Sequence, residues 1–344
     1  MSLVSFRSCV TGWKGNHIIG VNMKRIGILT SGGDAPGMNA CIRAVVRTAM
    51  ANNLEISGIK RGYAGLIQGD MFALDRKSIT NIIQRGGTIL ETSRCPEFTT
   101  NEGRIKVINV LEEAGIDSLI LLGGDGTFRG GALLADECNV NIVGVPTTID
   151  NDVYGTDYTV GFDTAVNTAL EAIDRIRDTA MSHERLFFVE VMGHHTGFIA
   201  LESGIAGGAE ETIIPEISTS IDVLWARLEE SFEQGKKNAI VVVAEGDQPG
   251  HTFKIALEAK EKLHIESRVC ILGHVQRGGS PTARDRVLAS NLGSAAVSAL
   301  LKGESGYMVG EVKNEIVYTI LADTWKKKKP LSPRLEELSG LLSA

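Results

Sequence analysis

Residues 118–152 constrain this chain more than any other stretch. An apolar run, SLILL, leads into GGDGT, and a second apolar run, NIVGV, leads into PTTIDND. Short apolar runs that end in glycine- or aspartate-rich turns read as strands buried on both faces, the setting of a parallel sheet under helices. Open parallel sheets bind ligands beyond the carboxyl ends of their strands. In the first loop three glycines surround Asp125. Without a Cβ, their backbone amides approach a phosphate closely, and Asp125 offers a hard oxygen to Mg²⁺. Helix capping is the plainer role for the same aspartate. In the second loop Asp150 and Asp152 lie two residues apart, on one side of an extended chain. Turn formation is the plainer role there. One loop shaped for phosphate and one carrying a base together point to phosphoryl transfer to a hydroxyl.

The same alternation runs along the chain. A strand over 24–30 leads into SGGDAPG and a helix over 39–51; a strand over 55–60 leads into RGYAGL, expected as a loop. A short helix is expected over 78–84, then the long loop RGGTILETSRCPEF. Helices follow over 103–114, with Ile105, Ile108 and Leu111 inward, and over 162–177, with Ala165, Ala169, Ala172, Ile173 and Ile176 inward. Strands over 185–192, 213–215, 238–244 and 268–273 alternate with helices over 221–232, 253–263 and 285–301. The fold class is therefore α/β: two doubly wound, Rossmann-like lobes with a cleft between them. Residues 23–161 plus 276–325 are expected to form one lobe, and residues 162–275 plus 326–344 the other. Residues 1–22 lack any period and are expected to be an extension, disordered or a mis-start before Met23. Lys326 to Lys329 read as a solvated run without a function.

Bulk properties narrow the partners. A net charge of −7 argues against nucleic-acid binding, and no run reaches the ~18 apolar residues of a membrane span. The five cysteines form no CxxC pair, which indicates neither a zinc site nor a disulfide framework and fits reduced thiols in the cytoplasm. His194 and His195 have no third ligand at zinc spacing. Arg43 and Arg47 share a helix face, either as solvated charges or as a phosphate clamp. His274 and Arg277 beside two glycines suit a sugar phosphate. Arg185 and Arg268 begin strands, at the end opposite the cleft; to serve the site they must reach it from another subunit.

Taken in order, TSGGDAPGMNA, RGGTILETSR, GGDGT, PTTIDND, VEVMG, IAGG and GHVQRGGSP resemble the ATP-dependent 6-phosphofructokinases of the short bacterial type, from Met23 to the C-terminal region. The resemblance implies transfer of the ATP γ-phosphoryl group to the 1-hydroxyl of fructose 6-phosphate, the committed step of glycolysis. It implies that the 23–161 plus 276–325 lobe binds ATP and the 162–275 plus 326–344 lobe binds fructose 6-phosphate, with ATP contacts at Gly32, Arg94, Cys95, Gly124, Asp125, Gly126 and Thr127, Asp125 the Mg²⁺ ligand and Asp150 the general base. Sugar-phosphate contacts are implied at Thr148, Ile149, Asp150, Met192, Gly193, His194, Glu245, His274, Val275, Gln276 and Arg277. Arg185 and Arg268 match arginines supplied by a neighbouring subunit. Arg43, Arg47, Arg177, Glu210 and Lys236 match an effector site for ADP or phosphoenolpyruvate in a homotetramer. Three positions depart from the pattern: Thr147, often Gly in ATP users and Lys in pyrophosphate users; His194, often Arg; and Cys95, often aromatic. A pyrophosphate-dependent enzyme is the alternative, but it would resemble GGDD at Gly126. Kinases acting on NAD or a lipid share GGDGT yet lack the IDND and QRGG loops. Intact Asp125 and Asp150 argue against a non-catalytic regulatory subunit.

Overall fold

The computed structural model describes Met23 and residues 25–182, 185–217, 221–246 and 250–343. The expected extension over 1–22 lies outside the described residues. The first part of the chain runs β1 (Arg25–Thr30), α1 (Met38–Ala51), β2 (Glu55–Ile59), α2 (Gly62–Gln68), β3 (Met71–Ala73), α3 (Asn101–Glu113), β4 (Ser118–Gly123), α4 (Asp125–Glu137) and β5 (Asn141–Pro146). The middle runs α5 (Phe162–Ser182), β6 (Leu186–Val191), α6 (Phe198–Ala206), β7 (Glu211–Ile213), α7 (Ile221–Glu233), β8 (Ala239–Ala244), α8 (His251–Leu263) and β9 (Ser267–Ile271). The chain then returns through α9 (Ala283–Leu301), β10 (Tyr307–Val312), β11 (Glu315–Ile320), α10 (Asp323–Lys326) and α11 (Pro333–Leu342).

Among the described residues two sheets organise these elements. The larger has the order β11-β10-β5-β4-β1-β2-β3, parallel except for β3 and β11 at its edges. The smaller, β7-β8-β6-β9, is parallel throughout. Both are covered on two faces, which is why β4 and β8 are buried along their whole length. In the larger sheet Ile28, Val45, Leu292 and Val297 pack under α1 and α9, while Leu29, Leu111 and Phe128 fill the opposite face. Each fully buried Val, Leu or Ile contributes ~1.5–3 kcal/mol relative to exposure. In the smaller sheet Val189, Val191 and Val242 meet α5 and α6, and Val241 and Val243 meet α7 and α8.

Several local expectations change. RGYAGL is helical, as part of α2, and not a loop. The helix expected over 78–84 is a series of turns. Asp75 Oδ1 accepts from Ser78 N at 2.8 Å to start a turn, and Asn81 at φ 55° cannot continue a right-handed helix. On α3, Leu111 is buried and Ile108 packs against the core as expected, but Ile105 is 48% exposed and Val107 takes its place in the inward stripe. Six further elements escaped the sequence reading: β3, α6, the two strands of the β10–β11 hairpin, α10 and α11.

Candidate active site

The larger sheet reverses its strand order between β1 and β4, since β2 and β3 lie on one side and β5 on the other. Loops diverge at such a point and leave a crevice. The loops after β1, β4 and β5 line a cleft of about 480 Å³, closed by Arg94 and Cys95, by Tyr63 and Phe98, and by His194 and Arg277. The order of the chain thus gathers SGGDAPG, GGDGT and TTIDND, which sequence order alone keeps apart.

Gly124 is the N-cap of α4 and Asp125 its first residue. Phosphate-sized anions are favoured at such a terminus by its free N–H groups and its dipole. Gly123 must be glycine here: a Cβ would fall 2.6 Å from Ser31 O and 2.2 Å from Thr127 Oγ1. Thr127 Oγ1 donates to Ser31 O at 3.0 Å and so ties the β4 loop to the β1 loop. Gly126 is the opposite case, because a Cβ there would meet none of the described atoms within 4 Å. Asp125 Oδ1 is buried and has no hydrogen-bond partner among the described residues, while Oδ2 lies 3.9 Å from Arg129. Burial holds this carboxyl above the usual aspartate range, with Arg129 and His194 pulling it down.

Across the cleft, Thr148 Oγ1 donates to Asp150 Oδ2 at 3.1 Å, and Asp150 Oδ1 is buried without a partner among the described residues. Burial pushes the Asp150 carboxyl up, and the Asp152 carboxylate adds to the rise; Arg277 is the main opposing charge. Burial also raises Asp152, followed by the Asp125 carboxylate, so acidic groups of the two loops feel each other across the cleft. The set Gly32, Arg94, Cys95, Gly124, Asp125, Gly126, Thr127, Thr148, Asp150, His194 and Arg277 is brought together in one cleft.

The other expected sugar-side residues divide. Gly193 N and His194 N donate to Glu245 Oε1 at 3.3 and 2.8 Å, which joins the loops after β6 and β8. Gln276 is fully buried and its Oε1 accepts from Met192 N at 2.9 Å, so it holds the turn over Gly273–Arg277 against β6. The Ile149 side chain belongs to the core. The expected contact at Ile149 is thereby limited to its backbone. His274 and Val275 stand exposed on the turn.

Arg185 and Arg268 lie away from this cleft. They occupy the N-terminal ends of β6 and β9, where both pair with Glu266, at 3.3 and 2.5 Å. The five expected effector residues are only partly assembled. Glu210 is buried, with Lys236 at 2.9 Å and Arg177 at 3.9 Å, and Arg177 also donates to Gly207 O and Gly208 O. Arg43 and Arg47 ride on α1, and no hydrogen bond or ion pair among the described residues joins them to that trio.

Two features were missed from sequence. Tyr63 and Phe98 stack at 3.9 Å and line the cleft beside Arg94 and Cys95, and Tyr63 OH donates to Thr127 O at 2.6 Å. Cys95 therefore does not leave this wall without aromatic surface. Lys329 is not solvated as the run suggested: its Nζ donates to Asn151 Oδ1 and Asp157 O, both at 2.8 Å.

The family model for phosphofructokinase matches residues 25–300. The ATP-dependent 6-phosphofructokinase 1 of Thermus thermophilus is 59% identical over 321 residues, covering 93% of this chain and 100% of that protein. The ATP-dependent 6-phosphofructokinase of Halothermothrix orenii is 50% identical over 331 residues, with 93% and 100% covered. Among solved structures, phosphofructokinase from Saccharomyces cerevisiae superposes with a TM-score of 0.84 at 35% identity, covering 93% of this chain and 48% of that longer one.

Proposed function

The chain belongs to the phosphofructokinase family, and we propose that it transfers the terminal phosphoryl group of ATP to the 1-hydroxyl of fructose 6-phosphate, giving ADP and fructose 1,6-bisphosphate. One observation carries this reading: two buried carboxylate oxygens without partners among the described residues, Asp125 Oδ1 and Asp150 Oδ1, stand on facing loops of one cleft. Buried polar atoms are normally paired, so such orphans mark places where a ligand completes the bonding.

Asp150 is the general base. Thr148 fixes one of its oxygens and leaves the other for the sugar hydroxyl, and its raised pKa makes the carboxylate a better proton acceptor than an exposed aspartate. Asp125 would hold Mg²⁺, which when bound neutralises phosphate charge. Amides at the start of α4 receive the phosphates, and the Tyr63–Phe98 pair walls the nucleotide side. Arg277 and the linked Met192, Gly193 and Glu245 loops hold the sugar phosphate beside the base. Such alignment turns an encounter into a near-unimolecular reaction.

The open space at Gly126 supports ATP over pyrophosphate, since a carboxylate there would crowd the α-phosphate. A coupled assay with fructose 6-phosphate should show turnover with ATP and little with pyrophosphate; an equal or higher rate with pyrophosphate refutes the donor assignment.

The rest of the reading concerns assembly. The two lobes divide as 23–161 plus 276–325 and 162–275 plus 326–344. A cytoplasmic homotetramer completes each site with Arg185 and Arg268 of a neighbouring subunit. The Arg177, Glu210 and Lys236 trio meets Arg43 and Arg47 across an interface to take ADP or phosphoenolpyruvate.

A further inference from the structure

Of the lysines in the 326–329 run, three are exposed and Lys329 is half-buried. Its Nζ donates to Asn151 Oδ1 and to Asp157 O, and lies 5.2 Å from the centre of the Phe198 ring on α6. We propose that Lys329 is a positioning residue for the catalytic loop, locking the turn at Asn151 that aims Asp150 and Asp152 into the cleft. This rests on the assignment of Asp150 as the base.

Asn151 has φ 54°, a left-handed conformation uncommon outside glycine. Such a residue persists only where its surroundings hold it. Here its Oδ1 accepts from Thr159 N at 2.9 Å as well as from Lys329, and its Nδ2 lies 3.4 Å from Asp157 O. Thr159 Oγ1 donates to Thr148 O at 2.6 Å, and Thr148 Oγ1 donates to Asp150 Oδ2 at 3.1 Å. Ammonium, amide, two threonines and the base thus form one connected chain, and the ammonium enters it from outside the loop.

The C-terminal arm is built to deliver that ammonium. Tyr154 N donates to Thr324 O at 3.3 Å, and Lys327 lies 5.3 Å from the Tyr154 ring, so the arm runs beside the loop. Two residues beyond Lys329, Leu331 is buried in the core under β6. Burial lowers the Lys329 pKa to about 7, against the pull of Asp157, Asp152 and Glu202. An amine withdrawn from water to this extent and hydrogen-bonded twice to one loop is an unusual component for a mere surface tail.

Lys329→Met keeps the aliphatic stem over Phe198 and removes the donors. Expected is a kcat lowered roughly 10–100-fold, as for misplaced catalytic groups, with KM for both substrates within about threefold. Lys329→Arg should recover most of kcat. In an Asn151→Ser background, adding Lys329→Met should lower kcat by less than about twofold, because the shared link is already broken. A kcat within about twofold of wild type in Lys329→Met, a loss in KM alone, or an equal loss in both backgrounds overturns the proposal. Should Lys329→Met not fold, Asn151→Ser alone must lower kcat at unchanged KM and near-native melting temperature, and a native kcat there overturns the proposal. Failure of the base assignment is separate: Asp150→Asn would then turn over like wild type, whatever Lys329→Met does.

Discussion

Asp150 and Asp152 are held by different means although two residues apart. Thr148 fixes one Asp150 oxygen, whereas Asp152 feels the Asp125 carboxylate across the cleft and the Lys329 ammonium behind it. Asp150→Asn should lower kcat by roughly 10²–10⁴ with a smaller change in KM for the sugar phosphate. Its folded-state pKa lies above the ordinary aspartate value of about 3.9, so kcat should fall as pH drops through that raised value. Asp152→Asn removes the second-largest cause of the rise, and the acid limb of kcat should then move to lower pH. An unmoved limb would mean that Asp150 does not set it. Asp125 and Asp150 were legible in the sequence because glycines and aspartates at strand ends are local signals. Lys329 was not, because its partner Asn151 is 178 residues away and a lysine run looks the same whether or not one member is buried.

The elements were legible where a short apolar run met a glycine turn, and less so where burial has no period. α6 is apolar on nearly every side, so no helical stripe distinguishes FIALESGIA from a strand. The β10–β11 hairpin turns on Lys313 and Asn314, both left-handed, a type I′ pair whose first residue carries no glycine-like signal. Another joint invisible in sequence lies between α9 and α5. Asp285, in the first turn of α9, accepts from Gly161 N and Thr164 N at 2.8 Å each and from Thr164 Oγ1. A carboxylate from one helix thus caps another helix more than a hundred residues earlier. Asp285→Ala leaves those buried donors without a partner and should lower the unfolding free energy by about 2–4 kcal/mol. Urea unfolding checks this; an unchanged midpoint would remove Asp285 from that role.

At the scale of the whole molecule, two groups of charges stand apart from the cleft. Arg177 and Lys236 surround a buried Glu210, while Arg43 and Arg47 on α1 are unengaged among the described residues. An effector bound between them changes activity only by favouring one quaternary state, with a coupling of typically ~1–3 kcal/mol. The Arg43→Ala, Arg47→Ala protein should lose its response to ADP or phosphoenolpyruvate while keeping turnover at saturating substrate. A wild-type enzyme indifferent to both compounds would remove the effector site altogether. The second group sits at the far end of the smaller sheet. Six residues of β6 separate Arg185 from the Met192 loop, roughly 20 Å of extended chain, which puts that guanidinium out of reach of the cleft of its own protomer. Among the described residues, it and Arg268 share the carboxylate of Glu266, and two guanidiniums on one carboxylate keep donors to offer a phosphate. If that phosphate belongs to the sugar held in a neighbour's cleft, each site is built from two chains. An Asp150→Ala protein lacks the base but keeps the arginine; an Arg185→Ala protein is the reverse. Mixed tetramers of these two inactive proteins then contain some sites with both groups intact, and activity should return on subunit exchange. Verified hybrid tetramers that stay as inactive as their parents would show that the arginines act elsewhere.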